Sequence, residues 1–384
     1  MTLVKNQVRI IFMGSLLLMM AGCASEVTSM EISTTNSEEV TSTDTSTTIS
    51  IAEESSEVSA TLRTSTYTNP IYEYDFPDPS IVFDERTNQY FAFATHGQIL
   101  SSPDFVTWTK QNYAFTTIPQ WGTTNAGLWA PHVMRIGEQY VMYYSLSTWG
   151  DSNPGIGVAR APRPNGPWVD QGELFRSLDI GVNNSIDPGV FIAETGKVFM
   201  VWGSMRGNYI VELTSDGLSL KDGSATTAAT TKIHVAGLDT NTDWNVGTYE
   251  GSYVQFHDGY YYLFLSSGTC CEGNTSSYHV VVARSEFATG PYVDRNGHSM
   301  KAANVGTPIL ERNDSFAGPG HNAIFQDMAG DTWMLYHGYM TSNPARGRVL
   351  LVDKINWGDD GWPSIHGGTP STTPLQGPAY WQLP

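Results

Sequence analysis

The chain has 384 residues, of which 40% are hydrophobic, 12% aromatic and only 15% charged, with 37 glycines and 20 prolines. That balance excludes a long salt-laced helical bundle or coiled coil and favours short strands joined by tight turns. A formal charge of −18 excludes nucleic-acid backbone binding, which needs a basic face, and leaves neutral polymers open as partners.

At the amino terminus Lys5 and Arg9 precede an apolar run from Ile10 to Met20. The run is too short to span a bilayer comfortably and ends in small residues, so residues 1–23 read as a secretory signal peptide. Met20-Ala21-Gly22-Cys23 resembles the bacterial lipobox, in which the peptide is cut before the cysteine and that thiol takes lipid. Met stands where Leu is usual, so plain secretion stays open beside membrane association through a lipidated Cys23. Either way the destination is extracellular, and with lipid it is the bacterial cell surface. Residues 24–67 are rich in Ser, Thr and Glu and poor in large apolar side chains. They cannot bury enough surface to offset ordering entropy and are expected to form a disordered tether, with a root-mean-square reach of about 35 Å.

Residues 68–384 contain one pattern five times. The segments are Asp78-Pro79-Ser80-Ile81-Val82, Ala130-Pro131-His132-Val133-Met134, Asp187-Pro188-Gly189-Val190-Phe191, Glu250-Gly251-Ser252-Tyr253-Val254 and His321-Asn322-Ala323-Ile324-Phe325. Each leads into a short apolar strand and a turn at Asn88, Gly137, Gly196, Asp258-Gly259 or Gly330-Asp331. An aromatic second strand follows, at Tyr90 to Ala94, Tyr140 to Ser145, Val198 to Gly203, Tyr260 to Leu265 and Thr332 to His337, so the hairpin is preserved while its loop varies. An outer-strand pattern also recurs, with Val158-Ala159-Arg160-Ala161 before Gly166-Pro167-Trp168 and Val282-Ala283-Arg284-Ser285 before Gly290-Pro291-Tyr292. The lead residues are 52, 57, 63 and 71 positions apart, enough for a four-stranded sheet with loops. Five such sheets arranged radially make an all-β, five-bladed β-propeller.

In that architecture Asp78, Ala130, Asp187, Glu250 and His321 encircle one end of the central channel. Two carboxyl groups across a glycosidic bond hydrolyse it, one protonating the leaving oxygen and the other activating water or attacking the sugar. A third raises the pKa of the proton donor by like-charge repulsion. Taken singly, Asp78 and Asp187 before proline are ordinary turn residues. Ala130 at the second position shows that the fold does not itself require an acid there. Trp129 supplies an aromatic surface for a sugar at the rim of an acidic channel. The chain has no Gly-x-Ser-x-Gly elbow, no phosphate loop, no His-Glu-x-x-His zinc helix and no EF-hand, which removes those chemistries. Cys270 and Cys271 are adjacent. Neighbours lack ordinary bridge geometry, and no metal-ligand spacing accompanies them, so two packed thiols are expected.

From about Asn69 to the carboxyl terminus the chain resembles glycoside hydrolase family 43, and within it the endo-acting arabinanases. The marks are Asp78-Pro79-Ser80, Trp129-Ala130-Pro131, Ser185-Ile186-Asp187-Pro188, Glu250-Gly251-Ser252-Tyr253, Cys270-Cys271-Glu272-Gly273, Gly318-Pro319-Gly320-His321-Asn322 and Asp360-Gly361-Trp362-Pro363, in the family's order. The resemblance implies a five-bladed propeller and an inverting hydrolysis of α-1,5-L-arabinan, with Asp78 as general base, Glu250 as general acid and Asp187 tuning and orienting Glu250. It further implies that Asn184 and Ser204 hydrogen-bond the sugar, and that His321 stands beside one axial calcium ion otherwise held largely by water. The chain is expected to act as a monomer on arabinan or its oligosaccharides. Two departures bear on specificity: His132 stands where Asp is common, and Gly251-Ser252 where Gly-Pro or Ala-Pro is frequent. An exo-acting arabinofuranosidase or β-xylosidase shares the acidic trio, and a surface glycan-binding propeller without turnover is the alternative outside enzymology.

Overall fold

The strand Gln89–Ala94 is apolar with scarcely a break because both of its faces are buried. Tyr90, Ala92 and Ala94 pack toward one neighbouring sheet, and Phe91 and Phe93 toward the other. Successive side chains of a strand point to opposite faces, so a sheet held between two others reads as a continuous apolar run. The same logic runs through the computed structural model, which describes residues 61–239 and 249–382.

Five antiparallel four-stranded sheets follow one another along the chain, each with its strands in sequential order. Their inner strands are Ser80–Asp84, Gly127–Ile136, Gly189–Ile192, Tyr249–His257 and Phe316–Gln326. The second strands are Gln89–Ala94, Gln139–Ser147, Val198–Trp202, Tyr260–Ser267 and Thr332–Met340. Five apolar clusters each join two adjacent sheets, and one of them joins the fifth to the first. The sheets therefore close a ring, the five-bladed β-propeller that the repeats predict. The recurring Val-Ala-Arg segments lie in the third strands Gly155–Ala161 and His279–Ser285 of blades 2 and 4.

Outside the blades, Thr61–Tyr67 pairs antiparallel with Leu375–Gln382. This clasp rests on the hairpin turn of blade 5, where the Ala379 N–H donates to Asp327 Oδ2 at 2.8 Å and Met328 N–H donates to the Ala379 carbonyl at 3.1 Å. Composition assigns residues 61–67 to the tether, and here the structure differs. A strand held by its main-chain ladder, with its first four side chains exposed, carries no apolar signature. The expected signal peptide, the lipobox cysteine Cys23 and residues 24–60 of the tether lie outside the described residues.

A second correction concerns the cysteines. Cys270 and Cys271 are joined by a disulfide between neighbours. They lie in the loop between Tyr260–Ser267 and His279–Ser285, where Cys271 is exposed, so they are not thiols packed in a core.

Candidate active site

Each blade is entered through a residue in the left-handed backbone region: Asp78 (φ 57°), Ala130 (43°), Asp187 (59°), Gly251 (56°) and His321 (49°). For the four that are not glycine this conformation costs on the order of 1–3 kcal/mol each. The cost is offset by contacts with the preceding blade. Asp78 N–H donates to His337 Nδ1 (3.0 Å), Ala130 N–H to Thr95 Oγ1 (3.0 Å), Asp187 N–H to Ser145 Oγ (3.0 Å) and His321 N–H to Ser266 Oγ (2.8 Å). All four acceptors sit at one register position, two residues past the strand pair that follows the bend. In blade 3 that position is Gly203, which has no side chain to offer. The Gly251 N–H turns instead to Asp187 Oδ2 at 3.3 Å.

This ring corrects the repeat alignment. Gly251, and not Glu250, matches Asp78, Ala130, Asp187 and His321, so Glu250 projects from the position before the bend. The bend is a bulge, visible as a register shift between Glu250 and Tyr253, and bulges re-aim side chains. The acidic trio nevertheless comes together. Asp187 senses the charges of both Glu250 and Asp78, and His321 senses those of Asp78 and Glu250.

Asp78 is the most heavily partnered. Arg348 Nη1 donates to its Oδ1 at 2.8 Å and Thr95 Oγ1 to its Oδ2 at 2.6 Å, while His321 and His337 each bring Nδ1 to 3.5 Å. Burial by itself raises the proton affinity of Asp78, but Arg348, then the histidines and Thr95, outweigh it and hold the carboxyl well below the usual range. Arg348 is the partner that counts, since burial drives both histidines toward their neutral forms. Asp187 behaves in the opposite way. Burial first, then Glu250 and Asp78, push it well above an ordinary carboxyl.

Glu250 is buried and held at both oxygens, Oε2 accepting from Ser204 Oγ at 2.7 Å and Oε1 from Tyr278 Oη at 2.8 Å. Asn184 Nδ2 donates to Ser204 Oγ at 3.0 Å, so Asn184 and Ser204 form a relay onto Glu250. Trp129 sits one residue before Ala130, beside Trp149, with ring centroids 5.6 Å apart. Trp149 is 79% exposed and extends that aromatic surface. His132 lies two residues beyond the bend in blade 2, its ring tilted against that of Tyr253 at a centroid distance of 5.5 Å, in a cavity of about 370 Å³ lined by four inner strands. Burial lowers its pKa to about 4, so it is a neutral wall of the channel.

Arg348, Thr95, His337 and Trp149 carry no sequence signal of their own, although His337 ends a repeat strand, while Tyr278 closes the Ser276-Ser277-Tyr278 run after the paired cysteines that favours an arabinanase but gives it no role at the site. The donor set at His321 fits a cation held chiefly by water, with one neutral imidazole and the anionic Asp78 beside it. It does not fit a protein-built calcium cage, which takes six to eight oxygens. Among the described residues no three His, Cys, Asp or Glu side chains converge on a metal position.

The sequence profile described as Glycosyl hydrolases family 43 matches residues 67–363. An extracellular endo-α-(1→5)-L-arabinanase of Bacillus subtilis is 32% identical, over 70% of this chain and 79% of its own. An extracellular exo-α-(1→5)-L-arabinofuranosidase of Cellvibrio japonicus is 28% identical, over 76% of this chain and 86% of its own. The crystal structure of a Cellvibrio cellulosa α-L-arabinanase complexed with arabinohexaose superposes with a TM-score of 0.67 at 26% identity, covering 76% of this chain and 96% of that one.

Proposed function

The chain belongs to glycosyl hydrolases family 43, and from that premise we propose that it is an extracellular hydrolase of α-1,5-L-arabinan that cuts internal linkages with inversion. The observation that carries the reading is the contrast between Asp78, kept ionised beside Arg348, and the neighbouring Asp187, where burial and the charges of Glu250 and Asp78 favour the protonated form.

In the reaction Asp78 takes a proton from water as its oxygen attacks the anomeric carbon. Glu250 protonates the departing glycosidic oxygen as the carbon–oxygen bond breaks. Inversion calls for about 6.5–9.5 Å between base and acid, room for that water. Asp187 adjusts when Glu250 gives up its proton, and Ser204 and Asn184 orient Glu250 and face the sugar. Trp129 offers the sugar an apolar platform.

His321 would hold a largely hydrated calcium ion, whose charge would favour the ionised form of the nearby acids. Metal analysis of the wild type and His321→Ala tests this. Export, lipid attachment at Cys23 and a monomeric state complete the reading. Incorporation of labelled lipid that Cys23→Ser abolishes is the check on anchoring.

Linear arabinan followed by mass and anomer-sensitive NMR tests the function. Internal fragments with inverted configuration are expected. Retained configuration removes the mechanism, and release of single sugars from chain ends favours the exo mode named for the Cellvibrio japonicus relative.

A further inference from the structure

Tyr278 is fully buried, and its phenol Oη donates to Glu250 Oε1 at 2.8 Å. Its ring lies nearly parallel to the imidazole of His337, with planes 10° apart and centroids at 5.8 Å. His337, also fully buried, accepts the Asp78 backbone N–H at Nδ1. Two stacked rings thus run from the side chain of Glu250 to the main chain of Asp78, fastened at each end by a hydrogen bond. The space for this stack is built into blade 5. A Cβ on Gly320, the strand partner of His337, would stand 2.3 Å from Tyr278 Cδ1, and one on Gly318 would stand 2.6 Å from Ser276 Cβ. Glycine at 320 is what lets the ring approach the backbone.

We propose that Tyr278, backed by His337, is a positioning residue that fixes where Glu250 stands relative to Asp78. The inference rests on the acid and base roles given above. An inverting reaction must fit a sugar and a water between its carboxyls at once, and a misplacement of about 1 Å costs roughly a hundredfold. A glutamate has three rotatable bonds, whereas a ring pair pinned at both ends has a set length.

Tyr278→Phe keeps the ring stack and removes the bond to Glu250. Gly320→Ala keeps the hydroxyl and pushes the ring aside. Each is measured on arabinan and on an arabino-oligosaccharide with a nitrophenol leaving group, which departs without protonation. Because the defect acts through the acid, Tyr278→Phe loses about tenfold or more in kcat on arabinan, with KM little changed, and far less on the nitrophenyl substrate. Gly320→Ala carries the same test if melting shows Tyr278→Phe to be unfolded. No loss on arabinan, or an equal loss on both substrates, overturns the positioning role while leaving the enzyme reading intact. A wild type that cleaves neither substrate overturns both.

Discussion

The amide of Gly251 donates to Asp187 Oδ2 at 3.3 Å, which fastens one carboxyl of the site to the residue directly after another, Glu250. The bond exists because Gly203 leaves open the acceptor position that Thr95, Ser145, Ser266 and His337 fill at the other blade junctions. A small irregularity in the ring thereby becomes the link between Asp187 and Glu250.

The burial of Asp187 beside Glu250 has a measurable consequence for stability, which the Gly251 bond opposes and does not cancel. Asp187 titrates above its unfolded value, so the folded state binds its proton more tightly. The contribution is full below about pH 4, the unfolded range, and is lost as pH rises through the folded value. Asp187→Asn carries no charge to bury. We expect it to melt above the wild type at neutral pH, with the advantage shrinking as pH falls from the folded value and gone below about pH 4, while turnover falls. Melting curves across pH decide; an advantage confined to acid contradicts the assignment.

Arg348→Gln removes the cation that keeps Asp78 ionised. The proton affinity of Asp78 then rises, and the base is lost at higher pH than before. The acidic limb of kcat/KM on arabinan moves upward by about one pH unit or more. An unmoved acidic limb would show that Arg348 does not set the charge of the base.

Glu250→Gln retains shape but cannot deliver a proton. A loss of about 10²–10⁴ in kcat on arabinan is expected, with oligosaccharide affinity by calorimetry near that of the wild type. Unchanged binding by a wild type that makes no product would instead favour a glycan-binding propeller.

Trp129→Ala removes the aromatic surface, extended by Trp149, that is proposed to carry the sugar. KM for arabinan rises about tenfold, equivalent to about 1.4 kcal/mol, with kcat less affected. A wild-type KM would place the sugar elsewhere.

Much of this was legible along the chain. The blade count follows from local physics: period-two burial in runs such as Tyr90 to Ala94 and turn residues at hairpin lengths need no knowledge of distant partners. Asp78 and Asp187 stand out because they recur at one place in the repeat where Ala130 shows no structural need for an acid.

Contacts made only on closing the ring were decided by tertiary structure. Arg348 reaches Asp78 across 270 residues and His337 across 259, because blade 5 packs against blade 1, and no local pattern encodes that pairing. The left-handed bend at Gly251 shifts Glu250 by one place, which letters alone do not reveal since any short polar lead aligns. The clasp strand Thr61–Tyr67 and the Cys270–Cys271 bridge were hidden for a related reason. One is held by backbone hydrogen bonds and the other by a covalent bond in an exposed loop, and neither leaves the apolar imprint through which a sequence announces its core.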